Sequence, residues 1–372
     1  MTFSHLVSVE ELLRDDTEFR ALNNANRLLT FTRTVEADND LKPACKWDSR
    51  YYSAAKVHLV ERLDPNALIL ADFWACQELS KHDLLFEATR EQILDDEVPN
   101  PGIYLSFFSL LRELIAAGSR ETWDSDASDG PTQGTRDEHR ADKPAETALL
   151  IFLDLWNSLD ICGPDRFEID ETMMESVVRC ERFKGSLSIQ GALVKYETDG
   201  HGVITHAYRG GRKRASTTVV FGIEAKRHLH LRRKGNDVAI AAQVAAEAIA
   251  IAQRNEEKKS RGTPEVFIFF IHHRRCYIVS AVFSTNYLSN LEGAGLGAED
   301  YLVLKKTKEF DLAKGDHRKK VAKCVAALFR YLKSGHARMG VLDFEARGRS
   351  VVGNNETLQA EQSDCPKSLS NH

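Results

Sequence analysis

The chain has 372 residues with 42% hydrophobic and 28% charged side chains, a balance suited to one large or two modest globular domains. Its net charge of -5 excludes a basic coat over the whole surface, so any polyanion contact must come from local clusters. Seven cysteines, an odd number without a C-x-x-C spacing, argue against a zinc knuckle or a disulfide framework and for reduced thiols in an intracellular protein, nuclear or cytoplasmic. No apolar run approaches the roughly 20 residues that span a bilayer, so no membrane association is expected.

In chain order, Ser8 with Glu11 opens a capped helix that runs to about residue 29. Apolar residues three and four apart predict further helices over Ala54 to Leu63, Leu68 to Leu85 and Tyr104 to Ala117, with Pro65, Pro99 and Pro101 as punctuation. Residues 1–120 therefore read as a helical region, a possible surface for a protein partner, with Phe73, Trp74, Phe107 and Phe108 as core. Residues 121–146 are acidic and polar without apolar period, which predicts a flexible linker. Residues 147–340 form the next unit, and residues 341–372 read as a disordered tail.

Within that unit, Glu171 to Phe183 reads as a helix, and after Gly185 the period changes to extended runs at 186–196, 203–208 and 219–227, separated by Gly-rich turns. An Ala-rich helix comes next over Val238 to Gln253, then a buried strand at Val266 to Ile271 and another at Tyr277 to Phe283. A last helix lies between Asp311 and Leu332, and Gly293 to Gly297 reads as a flexible loop. No G-x-S-x-G elbow appears, and His272 with His273 lacks zinc-spaced partners.

The informative stretch is Val219 to Arg227. Its apolar run ends in Glu224-Ala225-Lys226, and residues two apart on a strand share a face, so a carboxylate and an ammonium are expected side by side. If the turn at Gly210 to Arg214 joins antiparallel strands centred near 212, Glu224 lies opposite position 200, within one residue of Asp199. Two acids and a lysine are the minimum for holding a hard cation beside a phosphate. Glu197 competes with Asp199 for the second acid. Arg209, Arg212, Lys213, Arg214, Arg227, Arg232, Arg233 and Lys234 surround the stretch, a concentration suited to a phosphate backbone, or in part to a nuclear-import patch.

These residues resemble the PD-(D/E)XK nuclease superfamily, in particular its largely fungal nuclease-like members with a helical N-terminal extension. The matching pieces are Asp199, Glu224-Ala225-Lys226, Gln243 in the Ala-rich helix, and the strand Phe267 to Ile271, within residues 147–335. The resemblance implies an α/β (α+β) fold with a restriction-endonuclease-like core, a mixed sheet flanked by helices. It implies Mg2+ (or Mn2+) held by Asp199 and Glu224, Lys226 assisting water attack, Gln243 supporting the site, and DNA as substrate. A Glu on the helix before the sheet, Glu175 or Glu181, is a further expected participant. Where that branch carries an aromatic four residues after its Gln, this chain has Glu247. Two functions are consistent with this pattern: a metal-dependent nuclease, or a catalytically degenerate nuclease fold acting as a nucleic-acid-binding or protein-binding module.

Overall fold

The computed structural model describes residues 41–69, 73–74, 82–120, 174–179, 183–207, 213–226, 236–256, 264–272 and 274–333. The segments outside these ranges include the first predicted helix, the linker at 121–146, the apolar run at 149–153 and the tail at 341–372.

The described chain is a mixed α/β protein built on a central sheet flanked by helices. The sheet order is β1 (Val57–Leu63), β9 (Leu302–Thr307), β8 (Arg275–Phe283), β7 (Glu265–His272), β6 (Lys213–Lys226), β5 (Gly200–Ala207) and β2 (Met174–Arg179), with β10 (Phe310–Asp311) paired to β8. Pairing is antiparallel for β2 with β5, β5 with β6, β7 with β8 and β8 with β9, and parallel for β6 with β7 and β1 with β9. A second sheet is the hairpin β3 (Phe183–Ile189) and β4 (Ala192–Thr198), inserted in the chain between β2 and β5.

The parallel pair β6 and β7 needs a crossover, supplied by the helix Asn236–Glu256. The other helices are α1 (Ser49–Ala54), α2 (Asp83–Glu87), α3 (Arg90–Leu94), α4 (Leu105–Arg120), then the crossover helix as α5, α6 (Tyr287–Glu292) and α7 (Gly315–Lys333). One face of the main sheet, carrying Phe221, Ile223, Phe267 and Phe269, packs on α4, α7 and the short helices α2 and α3. The other face, carrying Ile268, Phe270, Tyr277 and Val279, packs on α5, behind which lie β3, β4 and α1.

Helix α5 is enclosed by two sheets and α1, and its composition reflects that. Ala242, Ala245, Ala246, Ala248, Ala250 and Ala252 are all buried, small side chains that let backbone on several sides approach closely. A helix with a single buried face would show an apolar stripe; this one is apolar nearly all round. Gly222 on β6 serves the same contact, since a Cβ there would sit 3.0 Å from Ile251 Cδ1.

Three sequence expectations change. Ala54 to Leu63 is not a helix: Val57–Leu63 is the edge strand β1, whose backbone finds a partner in β9 that the local period cannot reveal. The predicted helix at Glu171 to Phe183 is, where described, the strand β2 and the start of β3, its Val177 and Val178 paired with Val203 and Gly202. The loop at Gly293 to Gly297 is pinned, with Gly297 N–H donating to Asp300 Oδ2 at 2.6 Å and its carbonyl accepting from Lys56 Nζ.

Through β1, residues 57–63 join the same main sheet as the strands that follow. Arg318 of α7 reinforces the union: fully buried, it donates to the carbonyls of Leu85 and Leu312 at 2.6 and 2.8 Å and to that of Ala88. Burial pulls its pKa down to about 10, partly offset by Asp311 and Asp316, which leaves it cationic at neutral pH. Among the described residues no helix is long and apolar enough to cross a membrane.

Two substitutions test this packing. Arg318→Leu strands three buried carbonyls and should cost about 3–5 kcal/mol in urea denaturation. Gly202→Ala should cost about 1–3 kcal/mol, because its Cβ would overlap the buried ring of Phe221 on the neighbouring strand.

Candidate functional site

The register of β5 on β6 brings the first two predicted residues together. Gly200 pairs with Ile223 and His201 with Gly222, and the Asp199 N–H donates to the Ile223 carbonyl at 3.1 Å. Asp199 and Glu224 are thus neighbours across two antiparallel strands at one end of the sheet. The pairing of Gly200 with Ile223 lies within one residue of the sequence expectation. Further along, bulges move the register again, and His206 meets Arg214.

Asp199 sits at a corner. It is the single residue between β4, which belongs to the small sheet, and β5, which belongs to the large one. On β4 the residues alternate: Val194, Tyr196 and Thr198 are buried and Lys195 and Glu197 are exposed. Glu197 lies on the outer side of the hairpin, 3.5 Å from Lys184 Nζ, which separates it from Asp199 as a partner for Glu224. Thr198, fully buried, carries a hydroxyl that has no hydrogen-bond partner.

Glu224 itself is only 4% exposed. It pairs in register with Phe270 of β7, which stacks on Tyr277 of β8 with centroids 4.5 Å apart. Lys306 Nζ lies 4.5 Å above the Tyr277 ring and 3.0 Å from Glu61. Glu224 is therefore held in register beside a stacked pair of rings. Ala225 and Lys226 complete β6 opposite Ile271 and His272.

Helix α5 runs antiparallel to β6, and two contacts fix its level. Asn255 Nδ2 donates to the Val219 carbonyl at 2.8 Å, and Ile251 abuts Gly222. Gln243, Glu247, Ile251 and Asn255 are spaced by four and form one stripe along β6. Gln243 is half-buried toward the acid end of that stripe. Gln253, on another side of the helix, clamps the hairpin from both directions, accepting from Ser188 N–H and donating to Ser188 O, each at 2.8 Å.

Other expected residues lie elsewhere. Glu175 is on β2, not on a helix, and pairs with Thr205, five positions along β5 from Gly200, so it does not join the acid pair. Glu181, Arg209, Arg212, Arg227, Arg232, Arg233 and Lys234 are outside the described residues. Lys213 and Arg214 begin β6 opposite Ala207 and His206, and ten strand positions separate Arg214 from Glu224, about 33 Å at full extension. Lys213 and Arg214 are consequently remote from Glu224 along the strand. Thr198 escaped the sequence reading; its signal was the alternation Val194, Tyr196, Thr198.

Among the described residues no group of three or more His, Cys, Asp and Glu is close enough to hold one metal ion. Comparison of the sequence with protein-family models and with curated proteins finds no match in either.

The hairpin clamp can be checked directly. Gln253→Ala removes both partners of Ser188 on α5, and amide exchange at Ser188 should accelerate about 10-fold or more, at roughly 1.4 kcal/mol per decade, while strands β7 and β8 keep their protection.

Proposed function

We propose that this protein is a metal-dependent nuclease-like hydrolase acting on the phosphodiester bonds of DNA, with Asp199 and Glu224 as the cation-holding acids. The observation that carries the reading is the Asp199 N–H to Ile223 carbonyl bond, which sets two carboxylates at the same end of adjacent strands. The sheet supports it: the order β2, β5, β6, β7, β8, with β6 and β7 parallel through a buried crossover helix, suits a restriction-endonuclease-like core.

The donor set fits a hard cation. Two carboxylates supply oxygen ligands, and Mg2+ binds through one or two such groups while keeping water and substrate phosphate in its remaining positions. Bound there, the cation would polarise a phosphoryl oxygen and lower the pKa of an attacking water. On this reading Asp199 and Glu224 hold and orient it, Gln243 steadies the helix side, and Lys226 favours the attacking hydroxide. The basic residues at 209–214 and 226–234 draw in the phosphate backbone. Buried thiols at Cys276 and Cys324 suit an intracellular setting.

A second reading, a binding module without cleavage, is favoured by the burial of Glu224 to 4% exposure and by the two-acid limit of the described site. Plasmid nicking separates the two. The full chain with Mg2+ or Mn2+ should nick supercoiled DNA, and Asp199→Ala, Glu224→Ala and Lys226→Ala should each lose about 100-fold or more, the 2.7 kcal/mol scale of a preorganised electrostatic contact, with circular dichroism unchanged. Salt-dependent DNA retention with no cleavage under either metal would instead select the binding module.

A further inference from the structure

The corner where β10 runs into α7 is fastened by a histidine that takes no part in the proposed hydrolysis. The backbone N–H of Asp311 donates to His317 Nδ1 at 2.8 Å. A backbone amide nitrogen only donates, so Nδ1 must offer its lone pair, and the neutral ring carries its proton on Nε2. That second nitrogen lies 3.8 Å from Asp316 Oδ2, and the ring meets Phe310 edge-on with centroids 6.2 Å apart. The His317 side chain is 25% exposed, so solvent protons reach it.

Protonation changes what each nitrogen can do. Both become donors, so Nδ1 no longer accepts the Asp311 N–H, while the cation gains an attraction to the Asp316 carboxylate. The ring exchanges one partner for the other, and the remainder of the corner does not depend on it. Lys314 N–H donates to the Asp311 carbonyl at 2.9 Å, Ala313 N–H to Asp311 Oδ1 at 3.1 Å, and Arg318 Nη1 to the Leu312 carbonyl at 2.8 Å.

Charges approach this ring from several elements. Helix α7 contributes Asp316, Arg318 and Lys320, β10 and its flanks contribute Glu309, Asp311 and Lys314, the β7–β8 turn contributes Arg274 and Arg275, and α2, packed on α7, contributes Asp83 and Glu87. Arg274 Nε holds Asp311 Oδ1 at 3.0 Å, and Arg275 is 3.5 Å from Glu309. Asp316, shared with Lys320 at 3.3 Å, is the carboxylate that meets Nε2.

The corner is also connected to the strand end that bears the candidate acid. Lys226 of β6 pairs with His272 of β7, His272 with Arg275 of β8, and Arg275 with Asp311 of β10. The residue whose amide bonds His317 thus ends a row across four strands that begins two residues from Glu224. Leu312 N–H returns to the Arg274 carbonyl at 2.8 Å, which ties the same corner to the β7–β8 turn.

We propose that His317 is a pH-operated switch at this corner: neutral, it latches β10 to α7 through the Asp311 N–H; protonated, it releases that N–H and turns to Asp316, freeing the outer end of the row. The inference stands apart from the metal-dependent reading, and neither Asp199 nor Glu224 enters its test.

The test is nuclear magnetic resonance of the full chain, with 15N in the backbone and the imidazoles, from about pH 8 to about pH 5, the range in which histidines change charge. At the upper end His317 should show the Nε2–H tautomer with Nδ1 bare. As the ring titrates, the Asp311 amide should shift with the same midpoint. Its exchange, corrected for the intrinsic rate, should accelerate about 3- to 10-fold, the loss of one hydrogen bond. Both His317→Asn, whose Oδ1 accepts at every pH, and His317→Leu, which accepts at none, should abolish this response, with Asp311 protected throughout in the first and fast throughout in the second. An Nδ1–H tautomer at pH 8, an Asp311 amide indifferent to the ring's titration, or a pH response that survives in either variant overturns the inference.

Discussion

The architecture depends on one constraint, the enclosure of helix α5 between two sheets. Because β6 and β7 run parallel, the chain between them must cross a face of the sheet, and here that face is covered again by the β3–β4 hairpin and α1. A helix with neighbours on so many sides must be slim. Alanine along its length satisfies that, and Gly222 yields the remaining space on the strand. Two of its polar side chains are anchors: Asn255 holds β6 and Gln253 holds β3.

The hairpin does more than cover the helix. It leaves the main sheet after β2 and returns to it at Asp199, so the chain changes sheets at the candidate acid. Two ladders, one on each side, determine where that residue sits. The clamp of Gln253 on Ser188 ties the same hairpin to α5, and the anchors of α5 on β6 tie it to Glu224's strand. The backbone at Asp199 and Glu224 is thus held by a circuit of β4, β5, β6 and α5.

Much of the core was legible in the sequence because its signals are local. Val266 to Ile271 announces a strand buried on both faces, and the Ala-rich run announces a helix; both appear, at Glu265–His272 and Asn236–Glu256. The approach of Asp199 to β6 beside Glu224 follows the antiparallel pairing expected, but by another route: near the turn His206 faces Arg214, and two bulges carry the register on until Gly200 faces Ile223. What failed was non-local. Val57–Leu63 and Met174–Arg179 are sheet members only because distant strands pair with them, and short apolar runs of mixed pattern carry no sign of that. The distance of Lys213 and Arg214 from Glu224 was hidden for a related reason: residues beside a hairpin turn lie far in space from the strand's other end. Glu197 and Asp199 differ in place, Glu197 within β4 and Asp199 at the junction with β5, a difference that depends on where the hairpin ends.

Strand β1 carries a consequence for how the chain reaches this state. It pairs parallel with β9, and Glu61 meets Lys306 across a separation of 245 residues. During synthesis β1 emerges long before β9 exists, so its backbone edge is without its ladder until the chain has grown by more than two hundred residues. Native topology of this kind is slow to form and exposes a sticky edge in the interval. Closure of this edge of the sheet is therefore a late event, since β1 gains its ladder only once β9 is in place.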